Sequence, residues 1–235
     1  MKIGTLYGIS VGTGDLELIT VKGLRILQQV KIVAFPSGIN NQQGIAEKII
    51  QHWLHSEQTQ LGLEFPYIQD EKLLQKAWNI ASEKVWNYLK IGQDVAFACE
   101  GDISFYSTFN YLAQTINEHY PEVKIEMIPG VCSPLAAASA LGIPLTIRQQ
   151  KLVVLPALYT IDDLKTILEW AEVVVLMKVS SVYQQVWSIL ESLNLLESSF
   201  IVERATFPNQ VIYHNLKNYS QLNLSYFSVL IIKVR

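Results

Sequence analysis

Leu6-Tyr7-Gly8-Ile9-Ser10-Val11-Gly12-Thr13-Gly14-Asp15 is a short apolar run that stops in a glycine-bearing turn. Residues 6–11 read as a buried strand, and residues 12–15 as the turn handing it to a helix. That helix runs to about Gln29, with Leu24 and Leu27 on one face and Thr20 as its N-cap. The pattern then repeats. Residues 31–35 form a β-branched run stopped by Pro36, and Ile45, Ile49 and Trp53 make a helical stripe. Leu74, Ala77, Ala81 and Val85 extend that spacing over a longer helix ending near Lys90. Val95–Cys99 is the next strand, Thr108–His119 a helix and Lys124–Ile128 a further strand. Strands alternating with helices imply parallel pairing through right-handed crossovers.

A break falls at Pro129-Gly130. Beyond it Ser133–Leu141 is small and alanine-rich, which suits a helix packed close to other backbone. Residues 151–155, 172–177 and 199–202 have strand character. Thr160 is placed to cap a helix over 161–171, and Ser181 with Gln184 has the spacing of a capping box. In the tail, residues 211–215 and 226–234 are strand-like and joined by a turn-rich link, so an antiparallel hairpin is expected. The fold class is α/β in two lobes. Residues 1–125 form a mostly parallel N-terminal lobe and 126–235 a C-terminal lobe with a mixed sheet.

Composition narrows the function. The chain has 235 residues, half of them hydrophobic and 17% charged, enough for a sizeable core. A net charge of −3 gives no basic stripe for nucleic acid. Cys99 and Cys132 show no ligand or disulfide spacing, so no metal and no disulfide framework are expected. There is no signal-peptide pattern and no apolar run near the roughly 20 residues of a membrane span, so the expected location is cytoplasmic.

In open α/β sheets ligands collect at the carboxyl ends of strands. Four such ends carry unusual residues: Gly12-Thr13-Gly14-Asp15, Glu100-Gly101-Asp102, Pro129-Gly130-Val131-Cys132-Ser133 and Met177-Lys178. A dinucleotide site fits poorly. Gly8, Gly12 and Gly14 do not make G-x-G-x-x-G, and Asp15 sets a carboxylate where a phosphate would meet a helix N-terminus. The second strand ends in Phe35-Pro36-Ser37, with no acid for a ribose. The better reading of Asp15 is a cap on the following helix, with Gly12 and Gly14 shaping the turn. At the second loop Gly101 allows close approach to backbone, and two carboxylates favour a cation or a ribose over a phosphate. Asp102 can also be a plain N-cap.

Taken together and in order, these loops resemble the tetrapyrrole methylase family over nearly the whole chain. The resemblance rests on residues 8–15, on 100–109 (Glu-Gly-Asp-Ile-Ser-Phe-Tyr-Ser-Thr-Phe), on 128–133 with Gly142-Ile143-Pro144-Leu145, on Met177-Lys178 and on Glu203-Arg204-Ala205-Thr206. The second motif is most similar to the branch that methylates C20 of precorrin-2 or its cobalt form in cobalamin biosynthesis. Many members carry Pro where Thr13, Leu16 and Ile103 stand. At Ile103 the loss of proline leaves a backbone N–H that must find a partner.

The resemblance implies two α/β lobes with S-adenosylmethionine in the cleft between them. It places the donor against Gly101, Asp102, Phe105, Ser107, Thr108, Cys132, Ser133, Met177, Ala205 and Thr206. Met177 at a strand end is more often core than ligand wall, and only the resemblance gives it the ligand role. A nucleophilic meso carbon and a sulfonium leaving group need mainly in-line positioning, plus a base for the C20 proton. Glu100, Asp102 and Tyr106 are the candidates, and sequence does not choose among them. The substrate's carboxylates make Arg148, Lys151, Lys178 and Arg204 candidate clamps, with solvated surface charge as the alternative. A small-molecule partner and a homodimer are implied, with neither nucleic acid nor membrane. Rival readings are another corrin carbon, a non-tetrapyrrole acceptor, or a non-catalytic regulator that keeps the donor pocket.

Overall fold

The computed structural model describes residues 2–38, 43–66, 70–157 and 161–235. It divides into two units, Met1–Cys132 and Ser133–Arg235. The division lies after residue 125 because the strand Lys124–Ile128 pairs with the first strand of the chain and so belongs wholly to the first unit.

In the first unit β1 (Thr5–Ser10), β2 (Ile32–Pro36), β3 (Thr59–Leu63), β4 (Val95–Cys99) and β5 (Lys124–Ile128) form a parallel sheet in the order β3-β2-β4-β1-β5. Side chains alternate across it, which sorts the core into two layers. Leu6, Val95 and Phe97 face α3 (Glu71–Leu89) and α4 (Thr108–His119). Ile9, Val33, Ala96 and Ala98 face α1 (Val21–Gln29) and α2 (Ile45–Ile50). Every residue of β4 is buried, as a central strand covered on both faces requires. Thr20 caps α1 as expected, accepting from Gly23 N at 3.1 Å. Asp70 caps α3 through Lys72 N and Leu73 N. β3 is absent from the sequence reading because it is a polar, largely exposed edge strand with no alternation to mark it.

The second unit carries β6 (Leu152–Pro156), β7 (Val173–Met177), β8 (Ser199–Glu203), β9 (Val211–His214) and β10 (Ser228–Lys233) in the order β6-β7-β10-β8-β9. Only β6 and β7 are parallel, so the sheet is mixed as expected. The expected tail hairpin is not formed. β10 inserts between β7 and β8, and β9 pairs with β8. Burial explains the choice: Val229, Leu230, Ile231 and Ile232 are all under 5% exposed, which only a central strand can provide, whereas β9 is half-exposed and suits an edge. The alanines of α5 (Ser133–Leu141) let it pack closely on β8 and β10. α6 (Leu164–Trp170) and α7 (Tyr183–Ser192) complete the unit. The expected capping box is also absent. A 3-10 turn over Val179–Val182 runs directly into α7, leaving Ser181 inside that turn and Val182 at the N-cap. The proposed cap Thr160 lies outside the described residues.

Candidate functional site

The carboxyl ends of β1 and β4 are laced together by backbone. Val11 N donates to Cys99 O at 2.9 Å and Gly101 N to Gly12 O at 2.7 Å. Gly12 and Gly101 both take positive φ, +79° and +72°, a region open to glycine at little cost. The two differ in what surrounds them. A Cβ on Gly12 would lie 2.8 Å from Leu18, whereas one on Gly101 would have nothing within 4 Å among the described residues beyond its two chain neighbours. Gly101 therefore borders open space at the end of a buried strand, a cradle that a side chain would fill.

Asp102 closes the loop. Its Oδ1 accepts from Ser104 N at 2.9 Å and Ser104 Oγ at 2.5 Å, and its Oδ2 from Gly130 N at 2.7 Å. Burial alone would raise its pKa, but the bonds from Ser104 and Gly130, with Ser10 beside it, outweigh that and hold the carboxyl below its ordinary 3.8. Ile103 N, the donor left by the missing proline, finds Ser10 Oγ at 2.8 Å, and that hydroxyl donates to Ile128 O at 2.8 Å.

The rest of the motif divides by exposure. Ser107 is buried, caps α4 through Phe109 N at 3.1 Å and touches Cys99 Sγ at 3.0 Å. Its hydroxyl is thus committed to the fold. Burial pushes the Cys99 thiol up to about 11, against the opposing pull of Ser107. Glu100, Phe105, Thr108 and Cys132 are half-buried. Tyr106 is 50% exposed, at φ +52°, with its ring edge-on to Phe105.

In the second unit Met177, Lys178, Arg204, Ala205 and Thr206 meet at one end of the sheet. Lys178 N donates to Ser228 O at 3.1 Å and Arg204 N to Phe227 O at 2.8 Å, so both residues flank the start of β10. Lys178, Arg204 and Thr206 hold φ of +57°, +51° and +69°, so three left-handed non-glycine residues cluster at this end of the sheet. Met177 and Ala205 are buried. Lys178 Nζ lies 5.2 Å from the Tyr226 ring centroid, a cation–π distance. Arg204 Nη1 is 2.9 Å from Oε1 of the buried Glu203, whose Oε2 accepts from Ser225 N at 3.2 Å. Ser133, the first residue of α5, is half-buried.

Arg148 and Lys151 do not join this group. Lys151 precedes β6 beside Glu172, and Glu172 Oε2 accepts from its backbone N at 2.8 Å. The loop bearing Arg148 is tied to the same end, since Lys233 Nζ donates to Pro144 O and Leu145 O. Five strand residues, about 17 Å, separate that end from Lys178. One substrate carboxylate cannot bridge both pairs. Among the described residues no group of three or more His, Cys, Asp or Glu is arranged to hold a metal, and no helix is long and apolar enough to cross a membrane. A groove of about 200 Å³ lined by Tyr7, Lys22, Arg25, Asp94 and Glu126 lies towards the amino ends of the first sheet. Its Lys22 and Glu126 neutralise each other at 2.7 Å, so it offers little charge to a ligand. Sequence reasoning gave no role to Ser10, Gly130 N or Glu203. Each nonetheless falls within a motif that carries the resemblance, and Ser10 also stands out as a lone hydroxyl within a buried strand.

Comparison with known proteins accords with this arrangement. The family model described as Tetrapyrrole (Corrin/Porphyrin) Methylases matches residues 5–218. The chain is 32% identical to the probable cobalt-precorrin-2 C(20)-methyltransferase of Methanocaldococcus jannaschii, over 97% of this chain and 95% of that one. It is 30% identical to the cobalt-precorrin-2 C(20)-methyltransferase of Salmonella typhimurium, over 97% and 96%. Among solved structures, the uroporphyrin-III C-methyl transferase of Thermus thermophilus complexed with S-adenyl homocysteine shares the fold, with a TM-score of 0.67 at 17% identity and 97% coverage of each chain. Two α/β units and a family match spanning almost the whole sequence place this chain in the tetrapyrrole methylase family.

Proposed function

We propose that the chain transfers the methyl group of S-adenosylmethionine to C20 of precorrin-2, or of its cobalt-containing form, in cobalamin biosynthesis. The observation that carries the reading is the open cradle at Gly101, at the end of β4 and bonded to Gly12. Two relatives named for the C20 reaction, each matched over almost its full length, support the choice of acceptor.

S-adenosylmethionine supplies an electrophilic methyl group on a positively charged sulfur. The residues around Gly101 hold the donor: the backbone at 100–102 lies open to it, Thr108 offers a hydroxyl to the ribose, and Phe105 and Cys132 give apolar surface. Met177, Ala205 and Thr206, in the second unit, keep the donor-contact role that the family resemblance gives them. A reduced tetrapyrrole is nucleophilic at its meso carbon, so the work left to the chain is alignment. The new C–C bond forms at C20 as the S–CH3 bond breaks, and the C20 proton passes to a base. Asp102 is a weak candidate because three donors already converge on its two oxygens and hold its basicity down, which leaves Glu100 and Tyr106. Lys178 and Arg204 are the carboxylate clamps of this reading, with Glu203 orienting the guanidinium. The resemblance further supports a cytoplasmic homodimer without a protein-bound metal.

The purified chain, given S-adenosylmethionine and either precorrin-2 or cobalt-factor II, is expected to produce a singly methylated product with the new carbon at C20. Mass spectrometry with NMR reads the position. Methylation at another carbon moves the chain to a different branch of the family, and no methylation of either ring overturns the reading. A second outcome follows from the thiols. At pH 8 iodoacetamide should alkylate half-buried Cys132 and leave Cys99, whose thiol stays protonated. S-adenosylhomocysteine should slow the labelling of Cys132 several-fold; an unchanged rate removes Cys132 from the donor site.

A further inference from the structure

The end of β4 is held by a hydroxyl on a different strand. Ser10 is fully buried at the end of β1, accepts from Ile103 N at 2.8 Å and donates to Ile128 O at 2.8 Å. Its side chain stands where β1, β4 and β5 converge, and Gly130 presses on it so closely that a Cβ there would fall 2.4 Å from Ser10 Cβ. Ile103 is itself 1% exposed. A buried backbone N–H without a partner is costly, so this donor has to be satisfied within the protein. The amide of Ile103 shares its peptide plane with the carbonyl of Asp102. Pinning the one therefore fixes the other, and with it the direction in which the backbone at 101–102 faces the open cradle.

We infer that Ser10 is a positioning residue for the donor loop: its hydroxyl sets the Asp102–Ile103 peptide and so holds Gly101 and Asp102 in the conformation that receives S-adenosylmethionine. This rests on the donor-site reading above. The role is conditional on residue 103 having an N–H. Proline at 103 removes the donor and pre-sets the local φ, so it makes the Ser10 acceptor unnecessary.

The test is a double-mutant cycle. S-adenosylhomocysteine affinity is measured by calorimetry at 15 °C for the parent chain, Ser10→Ala, Ile103→Pro and the double variant, with thermal melts alongside. In the parent background, Ser10→Ala should weaken binding on the order of tenfold, the scale of an orphaned buried donor. In the Ile103→Pro background the same change should move affinity less than about twofold, because no donor remains to be orphaned. A serine that only stabilised the fold would lower the melting temperature and leave affinity unchanged. Should Ser10→Ala fail to fold, a double variant that folds and binds like Ile103→Pro still supports the inference, and one that fails to fold overturns it. A parent chain that binds while Ser10→Ala binds within twofold of it overturns this inference alone, as does an equal loss in both backgrounds. A parent chain that binds no S-adenosylhomocysteine overturns the donor-site reading and this inference with it.

Discussion

Gly101→Leu should abolish binding of S-adenosylmethionine and of its homocysteine product while leaving a folded protein. Two effects separate at this position. The first is conformational: Gly101 sits at φ +72°, and an L-residue there costs about 1–2 kcal/mol. The second is steric. Among the described residues, none beyond its two chain neighbours lies within 4 Å of a Cβ on Gly101, so a side chain there starts into open space and occupies the volume assigned to the donor. Gly142 provides a matched control. It has φ +67°, an equally open Cβ direction and a position just past the end of α5. Gly142→Leu should therefore carry a similar conformational cost without touching the donor. Calorimetry is expected to show at least about a 100-fold loss for Gly101→Leu, or roughly 3 kcal/mol, and little change for Gly142→Leu. Unchanged affinity in Gly101→Leu would sink the proposed site. Equal losses in both variants would assign the effect to strain.

How far the sequence could be read depended on whether the information was local. The strand Val95–Cys99 and the turn after it were legible because five apolar residues followed by Glu100-Gly101-Asp102 state a buried strand and its exposed end in one short stretch. The place of β10 was not. Its run of apolar residues announces a buried strand, but which strands flank it is settled by the whole sheet. The site behaved in the same way. Residues 100–109 could be named as a ligand-facing loop, yet the partners that give them roles are remote. Ile103 N reaches a hydroxyl 93 positions away, and Asp102 an amide 28 positions away. Ser107 illustrates the consequence. The resemblance sets it against the donor, and the fold adds what a local stretch cannot state: the hydroxyl is buried and caps α4. The candidate clamps split for a related reason: Lys151 and Lys178 both border strands of one sheet, and only strand direction puts them at opposite ends.

Asp102→Asn should cost stability more than it costs chemistry, and this would separate a structural carboxylate from a catalytic one. Three donors converge on the two oxygens, and an amide presents an acceptor on only one side. Whichever way the substituted amide turned, its NH2 group would face an N–H or O–H that needs an acceptor. The loss should be on the order of 2–4 kcal/mol, the scale of breaking one or two hydrogen bonds to a charged group, and the melting temperature should fall by several degrees. The pH dependence has a defined sign. A carboxyl whose pKa is lowered on folding contributes stability that is complete above its unfolded value and is lost as pH falls through the folded one. Here that window lies below the ordinary 3.8. Between pH 5 and 9 the contribution of Asp102 is therefore flat, and a group that remains ionised throughout that range is a poor acceptor for the C20 proton. The Asp102→Asn enzyme should accordingly keep the parent pH–rate profile, with its loss of activity tracking its loss of donor affinity. A kcat lowered about a thousandfold, with melting temperature and S-adenosylhomocysteine affinity both unchanged, would return Asp102 to the position of base.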